Sequence, residues 1–269
     1  MSFQISGAWL SHPGKERPHN EDSLLIAGEV LYSRKEESGV AVSLRAVGAG
    51  IAAVADGIGG GEAGELASRT ALERLAGWKG ATADSLVSHL CDTNRHFYEM
   101  MRQNPALHGM GTTVTGLAWG ESGCFAFNVG DSRVYRVNSG YLQQITEDHS
   151  LAELLAKSQG KSYGDAEKVR PSDQHVLMQA LGGRQEFREI TPQIVELRVK
   201  ESADFLLCSD GLTDMLDLDS IEACLGDPSD PASALTRLKE RVMDAGAQDN
   251  LTMVWVTLSR TDSVMEKSV

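Results

Sequence analysis

The chain has 269 residues, of which 41% are hydrophobic, so it is long enough to fold around a sizeable core as one large domain. It carries 38 acidic and 25 basic residues, which gives a formal net charge of −13. Because a strongly negative surface repels a polyanion, the composition excludes nucleic acid as an expected partner.

The cysteines and the N-terminal residues indicate in which cellular compartment the protein is expected. The four cysteines lie far apart without a C-x-x-C pair, which is typical of a reducing compartment rather than a disulfide scaffold or a zinc site. Residues 1–22 contain no apolar signal core, and no run in the sequence is long enough to span a membrane. We therefore expect a soluble cytoplasmic protein without a membrane partner.

Short apolar or alternating runs that end in Gly, Asp or Ser predict β-strands. Ser139-Gly140 predicts a hairpin between the two runs that it separates. Because the runs between residues 111 and 145 follow one another through tight turns, this part of the sheet should be antiparallel. The predicted strands are 47–56, 112–120, 124–131, 133–145, 190–199, 204–210 and 250–259.

Helical periodicity lies between these blocks of strands and predicts helices over 62–77, 83–103 and 231–245. Acidic residues open the first helix and Pro231 opens the last, as expected at helix N-termini. No internal repeat or low-complexity linker interrupts the pattern. We therefore predict an α+β fold in which helices cover antiparallel sheets, as one domain over 1–260 with a flexible tail over 261–269.

The stretch "AVADGIGGGEAGELAS" (53–68) allows two interpretations. Its G-x-G-x-x-G spacing fits a dinucleotide-binding loop, but such a loop needs its first glycine directly after the strand and an acid after a second strand. Here the strand ends in Asp56, whose carboxylate would repel a pyrophosphate, and the residues before Asp84 predict no strand. We interpret the glycines as the setting that lets the chain turn beside Asp56 and begin a helix.

Acidic residues flank five apolar strands. A single Asp-Gly is more often a turn than a ligand, but five acidic positions from distant parts of the chain predict an assembled site. Acids at a strand end cost desolvation energy unless they are paired, and the sequence shows no basic residues matched to these ends. Oxygen ligands in this number suit Mg²⁺ or Mn²⁺ rather than zinc. The positions are Glu21-Asp22, Asp56-Gly57, Asp131, Asp210-Gly211 and Asp249-Asn250.

Eight motifs in order resemble the metal-dependent protein serine/threonine phosphatases of type 2C, the PPM family, in their bacterial form. The resemblance extends from about Gly7 to Leu258 and implies a four-layer αββα sandwich, with two packed antiparallel sheets flanked by helices. It also implies hydrolysis of phosphoserine or phosphothreonine esters by a metal-activated water. The motifs are "RPHNEDS" (17–23), "VADGIGGGEAGELAS" (54–68), "GMGTT" (109–113), "NVGDSRVY" (128–135), "TEDHS" (146–150), "QALGG" (179–183), "LLCSDGL" (206–212) and "AQDNLT" (247–252).

The resemblance implies a set of metal ligands for two Mn²⁺ or Mg²⁺ ions. Asp56 matches the carboxylate that bridges the two ions, and Gly57 would offer its backbone carbonyl to one of them. Asp210 and Asp249 match further direct ligands. Glu21 matches the acid that reaches a metal through water.

Further roles follow from the same resemblance. Asp131 resembles the ligand of a third, weaker ion, which Asp210 would share. Arg17 matches the phosphate-binding arginine, and Asp22 matches an acid that orients water. We expect support rather than chemistry from the other residues of the matching motifs, which are Thr112, Thr113, Arg133, His149 and Asn250.

The sequence leaves other questions open. Residues 154–175 are polar and lie where the family carries a flap beside the metal site, which is a place for substrate choice. Ile58 stands where eukaryotic members often carry His, so the proton donor to the leaving group is not identified. Two alternatives to an active phosphoprotein phosphatase are a pseudophosphatase that binds phosphopeptides and a hydrolase of small phosphate esters. We expect a monomer that opposes a bacterial Ser/Thr kinase by acting on the kinase or its targets.

Overall fold

Two six-stranded antiparallel sheets stack face to face in the computed structural model of the chain. The model describes residues 2–32, 37–47, 49–79, 82–158, 160, 176–227 and 229–261, with residues 2 and 37–47 as backbone only. The two sheets are called sheet I and sheet II below.

Sheet I contains both the first and the last strand of the described chain. Strands β1 and β15 pair antiparallel along their whole lengths, from Ser2 opposite Thr261 to His12 opposite Leu251. The strands of sheet I are β1 Ser2–His12, β4 Glu37–Val47, β10 Arg133–Asn138, β11 Tyr141–Gln144, β14 Ser202–Cys208 and β15 Leu251–Thr261, in the order β11-β10-β14-β15-β1-β4.

Sheet II contains β5 and β9, the strands that lead into Asp56 and Asp131, and a small three-stranded ladder lies beyond two of its strand ends. The strands of sheet II are β2 Ser23–Ile26, β3 Glu29–Tyr32, β5 Gly50–Ala55, β8 Val114–Gly120, β9 Gly123–Val129 and β13 Gln193–Leu197, in the order β13-β9-β8-β5-β2-β3. The ladder consists of β6 Gly57–Ile58, β7 Gly111–Thr112 and β12 Leu181–Gly182, in the order β12-β7-β6.

Helices cover the outer face of each sheet. None of the helices within the described ranges is long and apolar enough to cross a membrane. The helices are α1 Glu62–Ala76, α2 Ala83–Gln103, α3 Leu151–Ser158, α4 Asp210–Thr213, α5 Leu218–Leu225 and α6 Pro231–Ala245, with a 3₁₀ turn over Pro105–Leu107.

The buried hydrophobic side chains form three cores, and successive residues of a strand point to opposite faces of its sheet. On β15, Val254 and Val256 point into the core between the sheets, whereas Met253 and Trp255 point towards α5 and α6. A third core joins sheet II to α1 and α2. The layers are therefore helix, sheet, sheet and helix, which confirms the predicted αββα sandwich.

The predicted helices over 62–77, 83–103 and 231–245 are confirmed to within one residue. The Ser139-Gly140 hairpin is also confirmed, and both turn residues have positive φ, as a tight two-residue hairpin turn requires. The predicted run 112–120 is divided between the ladder strand β7 and the sheet strand β8.

Two predictions about local structure need correction. No strand was predicted over residues 2–12, although β1 lies between β15 and β4 in sheet I and supplies side chains to both faces of the sheet. The polar segment 154–175 does not begin as a loop, because α3 runs to Ser158, and the rest of the segment except Gly160 lies outside the described residues. Ser150 begins α3 by accepting a hydrogen bond from the Glu153 amide through its hydroxyl oxygen, 3.2 Å away.

Strand β15 ends at Thr261, and residues 262–269 of the predicted tail lie outside the described residues. The boundary between domain and tail therefore stays a prediction.

Candidate metal centre

The predicted acidic residues gather where strands of both sheets begin or end. Asp56 directly follows β5, and its pKa is raised well above the ordinary value by burial and then by the charges of Asp210, Asp22 and Asp131. Asp249 belongs to the same group, because its charge raises the pKa of both Asp22 and Glu21. Five segments that are distant in sequence thus place their carboxylates within one electrostatic neighbourhood.

The backbone of Asp56 is fixed by two threonines. The Thr112 hydroxyl donates to the Asp56 carbonyl at 2.7 Å, and the Thr113 hydroxyl oxygen accepts from the Asp56 amide at 3.0 Å. The Thr113 amide also donates to the Asp56 carbonyl at 2.9 Å. These contacts give the two threonines the supporting role expected from their motif.

Gly57 lies where the loop after Asp56 meets the first turn of α1. A Cβ atom at Gly57 would lie 2.3 Å from the Gly64 carbonyl oxygen and 2.7 Å from that of Glu21. Only glycine fits this close approach of backbones. The glycines that follow turn the chain as predicted, since Gly59, Gly60 and Gly61 all have positive φ.

Asp22 is the most deeply buried acid of the group, with 1% of its surface exposed. Burial raises its pKa to about 7, although hydrogen bonds from the Thr252 and Ser209 hydroxyls favour the ionised form. The Ser209 hydroxyl donates to Asp22 Oδ2 at 2.8 Å, whereas Asp22 Oδ1 has no hydrogen-bond partner. This buried acceptor atom fits the predicted role of Asp22 in orienting water.

The loop that carries Arg17, Glu21 and Asp22 is tied to the start of β15 by Asn250. The Asn250 side-chain amide donates to the carbonyls of Pro13 and His19, both at 2.9 Å, and its Oδ1 accepts from the Glu21 amide at 2.8 Å. Asn250 therefore has a supporting role, as predicted.

Arg17 forms an ion pair with Asp249, with 2.6 Å between Nη2 and Oδ2. The expectation that no basic residue is matched to the strand-end acids was therefore wrong. The two residues are 232 positions apart, so only the fold shows the pair. The Arg17 side chain keeps 53% of its surface exposed, which leaves guanidinium nitrogens accessible to an incoming anion.

Asp131 is surrounded by further acids. Burial raises its pKa well above the ordinary value, and the charges of Asp210, Asp148 and Asp214 raise it further. Asp214 was not among the predicted site residues, although it follows α4 directly and donates its amide hydrogen to the Asp210 carbonyl at 2.8 Å. Its i, i+4 spacing from Asp210 could have indicated it.

Behind Asp131, His149 supports the turn of the chain. Its Nδ1 accepts from the Gly130 amide at 3.3 Å, and its own amide donates to the Gly130 carbonyl at 2.8 Å. Burial lowers the pKa of His149, which favours the neutral ring that this contact requires. These contacts support the structural interpretation of His149 over a role as general acid.

The donor set fits a hard cation. In the part of the chain that the structure describes, no group of three or more His, Cys, Asp or Glu side chains is arranged to hold a metal ion. Two contacts involve these acids: Asp56 shares a hydrogen bond with Asp210, and Asp249 accepts a hydrogen bond from Arg17. Burial and neighbouring negative charges disfavour the ionised form of these acids. A bound divalent cation favours the ionised form instead, so the carboxylate oxygens are suited to Mg²⁺ or Mn²⁺.

A separate cavity of about 320 Å³ lies at the C-terminal end of α2. Its lining includes Tyr98, Arg102 and Phe187, and none of the strand-end acids contributes to it. It is therefore not the candidate metal centre.

Comparisons with known proteins identify relatives of the whole fold. A family model described as Protein phosphatase 2C matches residues 40–253. The serine/threonine phosphatase stp of Listeria monocytogenes serotype 4b is 29% identical over 264 residues, which cover 95% of this chain and 96% of that protein. The corresponding phosphatase of Listeria welshimeri is 30% identical, over 90% of this chain and 92% of that protein.

Solved structures agree with this result. The PPM Ser-Thr phosphatase MsPP from Mycobacterium smegmatis, in complex with cacodylate, aligns with a TM-score of 0.73 and 30% identity, over 93% of this chain and 97% of that one. The catalytic domain of the serine threonine protein phosphatase PstP, in complex with two manganese ions, aligns with a TM-score of 0.74 and 28% identity, over 96% of this chain and 100% of that one.

Proposed function

The chain belongs to the protein phosphatase 2C family and is a metal-dependent serine/threonine protein phosphatase, and on that premise we propose which of its residues carry the reaction. The observation that supports the assignment is the burial of Asp56 among the charges of Asp22, Asp131 and Asp210, which come from three other chain segments; Asp249 in turn acts on Asp22. The substrates are phosphoserine and phosphothreonine side chains of proteins.

Asp56 would hold both of two Mn²⁺ or Mg²⁺ ions, with Asp210, Asp249 and the Gly57 carbonyl as further ligands, and Glu21 would act through water. Two such ions supply a water of lowered pKa and offset charge during in-line displacement at phosphorus. The solved PstP structure with two manganese ions supports this stoichiometry by analogy. Asp131 and Asp210 would hold a third, more weakly bound ion.

Asp22 and Arg17 act on water and on substrate. Asp22 holds an unpartnered carboxylate oxygen in a buried position, where it accepts a hydrogen bond from water and orients it. Arg17 binds two phosphoryl oxygens with its guanidinium group, which stays charged at any working pH. Its ion pair with Asp249 keeps that group at the edge of the centre.

Phosphate release from a phosphothreonine peptide tests the function directly. We expect turnover that rises as Mn²⁺ is titrated into metal-stripped protein and that stops when EDTA is added. A phosphorylated metabolite serves as the comparison substrate, and the peptide should give the higher kcat/KM. Preference for the small ester would favour the alternative hydrolase, and peptide binding without turnover at any Mn²⁺ concentration would favour a pseudophosphatase.

Substitution of Arg17 tests its assigned role. Loss of a charge-assisted hydrogen-bond partner costs about 1.5–3 kcal/mol, so Arg17→Ala should raise the KM for a phosphopeptide roughly 10- to 100-fold. Mn²⁺ affinity, measured by calorimetry, should be unchanged or higher, because Asp249 loses a competing cation.

The matched control for Arg17→Ala is Lys15→Ala, which removes one positive charge from the same loop. Lys15 donates to the Met243 carbonyl at 2.6 Å and makes no contact with the acids in the described structure. An unchanged KM for Arg17→Ala, or an equal rise for Lys15→Ala, would contradict the phosphate-binding role.

The biological setting is also part of the proposal. The relatives named above are bacterial, which supports a role opposite a bacterial Ser/Thr kinase. The four cysteines are free, which supports work in the cytoplasm. The monomeric state stays a prediction that sedimentation would test.

A further inference from the structure

Glu21 is held by the glycine loop and by helix α1. The Gly61 amide donates to Glu21 Oε1 at 2.7 Å, and the Ser68 hydroxyl donates to the Glu21 carbonyl at 2.5 Å. Gly61 is the N-cap residue of α1 and has no side chain that could accept a hydrogen bond from the helix. The Glu21 carboxylate, 40 residues earlier in the chain, accepts the Gly61 amide hydrogen at this helix end instead. A carboxylate is favoured near a helix N-terminus.

Gly64 leaves the space that the second carboxylate oxygen occupies. A Cβ atom at Gly64 would lie 1.7 Å from Glu21 Oε2 and 2.8 Å from Glu21 Cδ. The next nearest atom, the Gly57 carbonyl carbon, would be 3.1 Å away, which needs only a small adjustment. The severe overlap is therefore with one functional group, the carboxylate of Glu21.

We infer that Gly64 is a positioning residue for the metal centre: its missing side chain and the Gly61 amide together hold the Glu21 carboxylate in the orientation that metal binding uses. This inference rests on the proposed function, because it takes Glu21 to act toward the metal through water. The backbone φ of Gly64 is not positive, so alanine is compatible with its helical conformation. Gly64→Ala therefore changes the position of Glu21 without straining the backbone.

The test measures Mn²⁺ binding to metal-stripped protein by calorimetry. Substitution of a group that orients a metal ligand costs about 10- to 100-fold in metal affinity, and we expect Gly64→Ala to fall in this range. The melting temperature of the metal-free variant should be close to that of the wild type, because the higher helix propensity of alanine offsets the loss of the hydrogen bond from the Gly61 amide to Glu21. Gly77→Ala, at the C-terminal end of the same helix, is the control and should bind Mn²⁺ like the wild type.

The same substitution made in the Glu21→Ala variant distinguishes an effect on the position of Glu21 from a general effect of Gly64→Ala on packing. In Glu21→Ala, the carboxylate that overlaps with the new methyl group is gone, so adding Gly64→Ala should cause no further loss of Mn²⁺ affinity. An equal loss in both backgrounds would overturn the inference, as would wild-type affinity in Gly64→Ala itself. A wild-type chain that binds no Mn²⁺ would instead contradict the proposed function and, with it, the inference.

Discussion

Asp56→Asn is expected to lower the kcat for phosphopeptide hydrolysis roughly 10³-fold or more, which corresponds to a loss of ~4 kcal/mol of transition-state stabilisation. Asp56 is the acid at the centre of the group, since the charges of Asp210, Asp22 and Asp131 all act on it. A neutral amide offers one oxygen and no charge, so it cannot bridge two divalent ions as a carboxylate does. The loss should persist at saturating Mn²⁺.

The same substitution should stabilise the metal-free protein. The pKa of Asp56 in the folded state is raised by burial and by like charges, so ionising this group costs folding free energy at neutral pH. The protonated Asp56 carboxyl group contributes its full stabilisation to the folded state below the unfolded-state pKa of about 3.9. This stabilisation is lost as pH rises through the folded-state pKa. The stability advantage of Asp56→Asn over the wild type should therefore be largest above neutral pH and should disappear towards pH ~4.

Activity assays with Mn²⁺ and thermal melts in EDTA check the two expectations on one variant. Asp244→Asn removes an exposed negative charge from α6 and serves as the control for net charge, with no expected effect on either quantity. Retained activity in Asp56→Asn, or a lower melting temperature in EDTA, would contradict the assignment of Asp56 to the metal centre.

Local pattern was sufficient to predict the parts of this fold that are regular in sequence. Helix α2 follows 3.6-residue periodicity closely enough to fix both of its ends, and Pro231 marks the start of α6. Strand β1 was not predicted because its alternation of apolar and polar residues stops at Gly7, after which Ala8, Trp9 and Leu10 are consecutive apolar residues. It becomes a strand through its pairing with β15, a tertiary contact that local pattern does not contain.

For the candidate site, the sequence predicted the acidic residues but not the contacts that orient them. Its acids could be selected from the sequence, because each stands beside an apolar run and the ordered motifs match a known family. The contacts that orient them join residues far apart in the chain, such as Arg17 with Asp249 and Glu21 with Gly61. A steric requirement such as that of Gly64 depends on a neighbour 43 positions earlier, so it is found only when the backbones are placed side by side.

The ion pair between Arg133 and Asp148 gives the largest expected effect on stability. Arg133 Nε lies 3.0 Å from both carboxylate oxygens of Asp148, and Nη2 lies 2.7 Å from Oδ2. The two side chains are only 24% and 11% exposed. Removing one partner of a buried pair leaves an uncompensated charge, so Asp148→Asn should lower the free energy of unfolding by about 2–3 kcal/mol after allowance for the exposed part. For a chain of this size that is roughly 4–6 °C in the melting temperature.

A surface pair on α2 provides the matched control. Asp92 and Arg95 are also hydrogen-bonded, but their side chains are 59% and 60% exposed, so Asp92→Asn should change the free energy of unfolding by less than about 0.5 kcal/mol. Replacing both partners of the buried pair, in Arg133→Met with Asp148→Leu, should recover part of the loss, because no unpaired charge is left behind. Equal shifts for Asp148→Asn and Asp92→Asn would contradict the argument, because burial is the main difference between the two pairs.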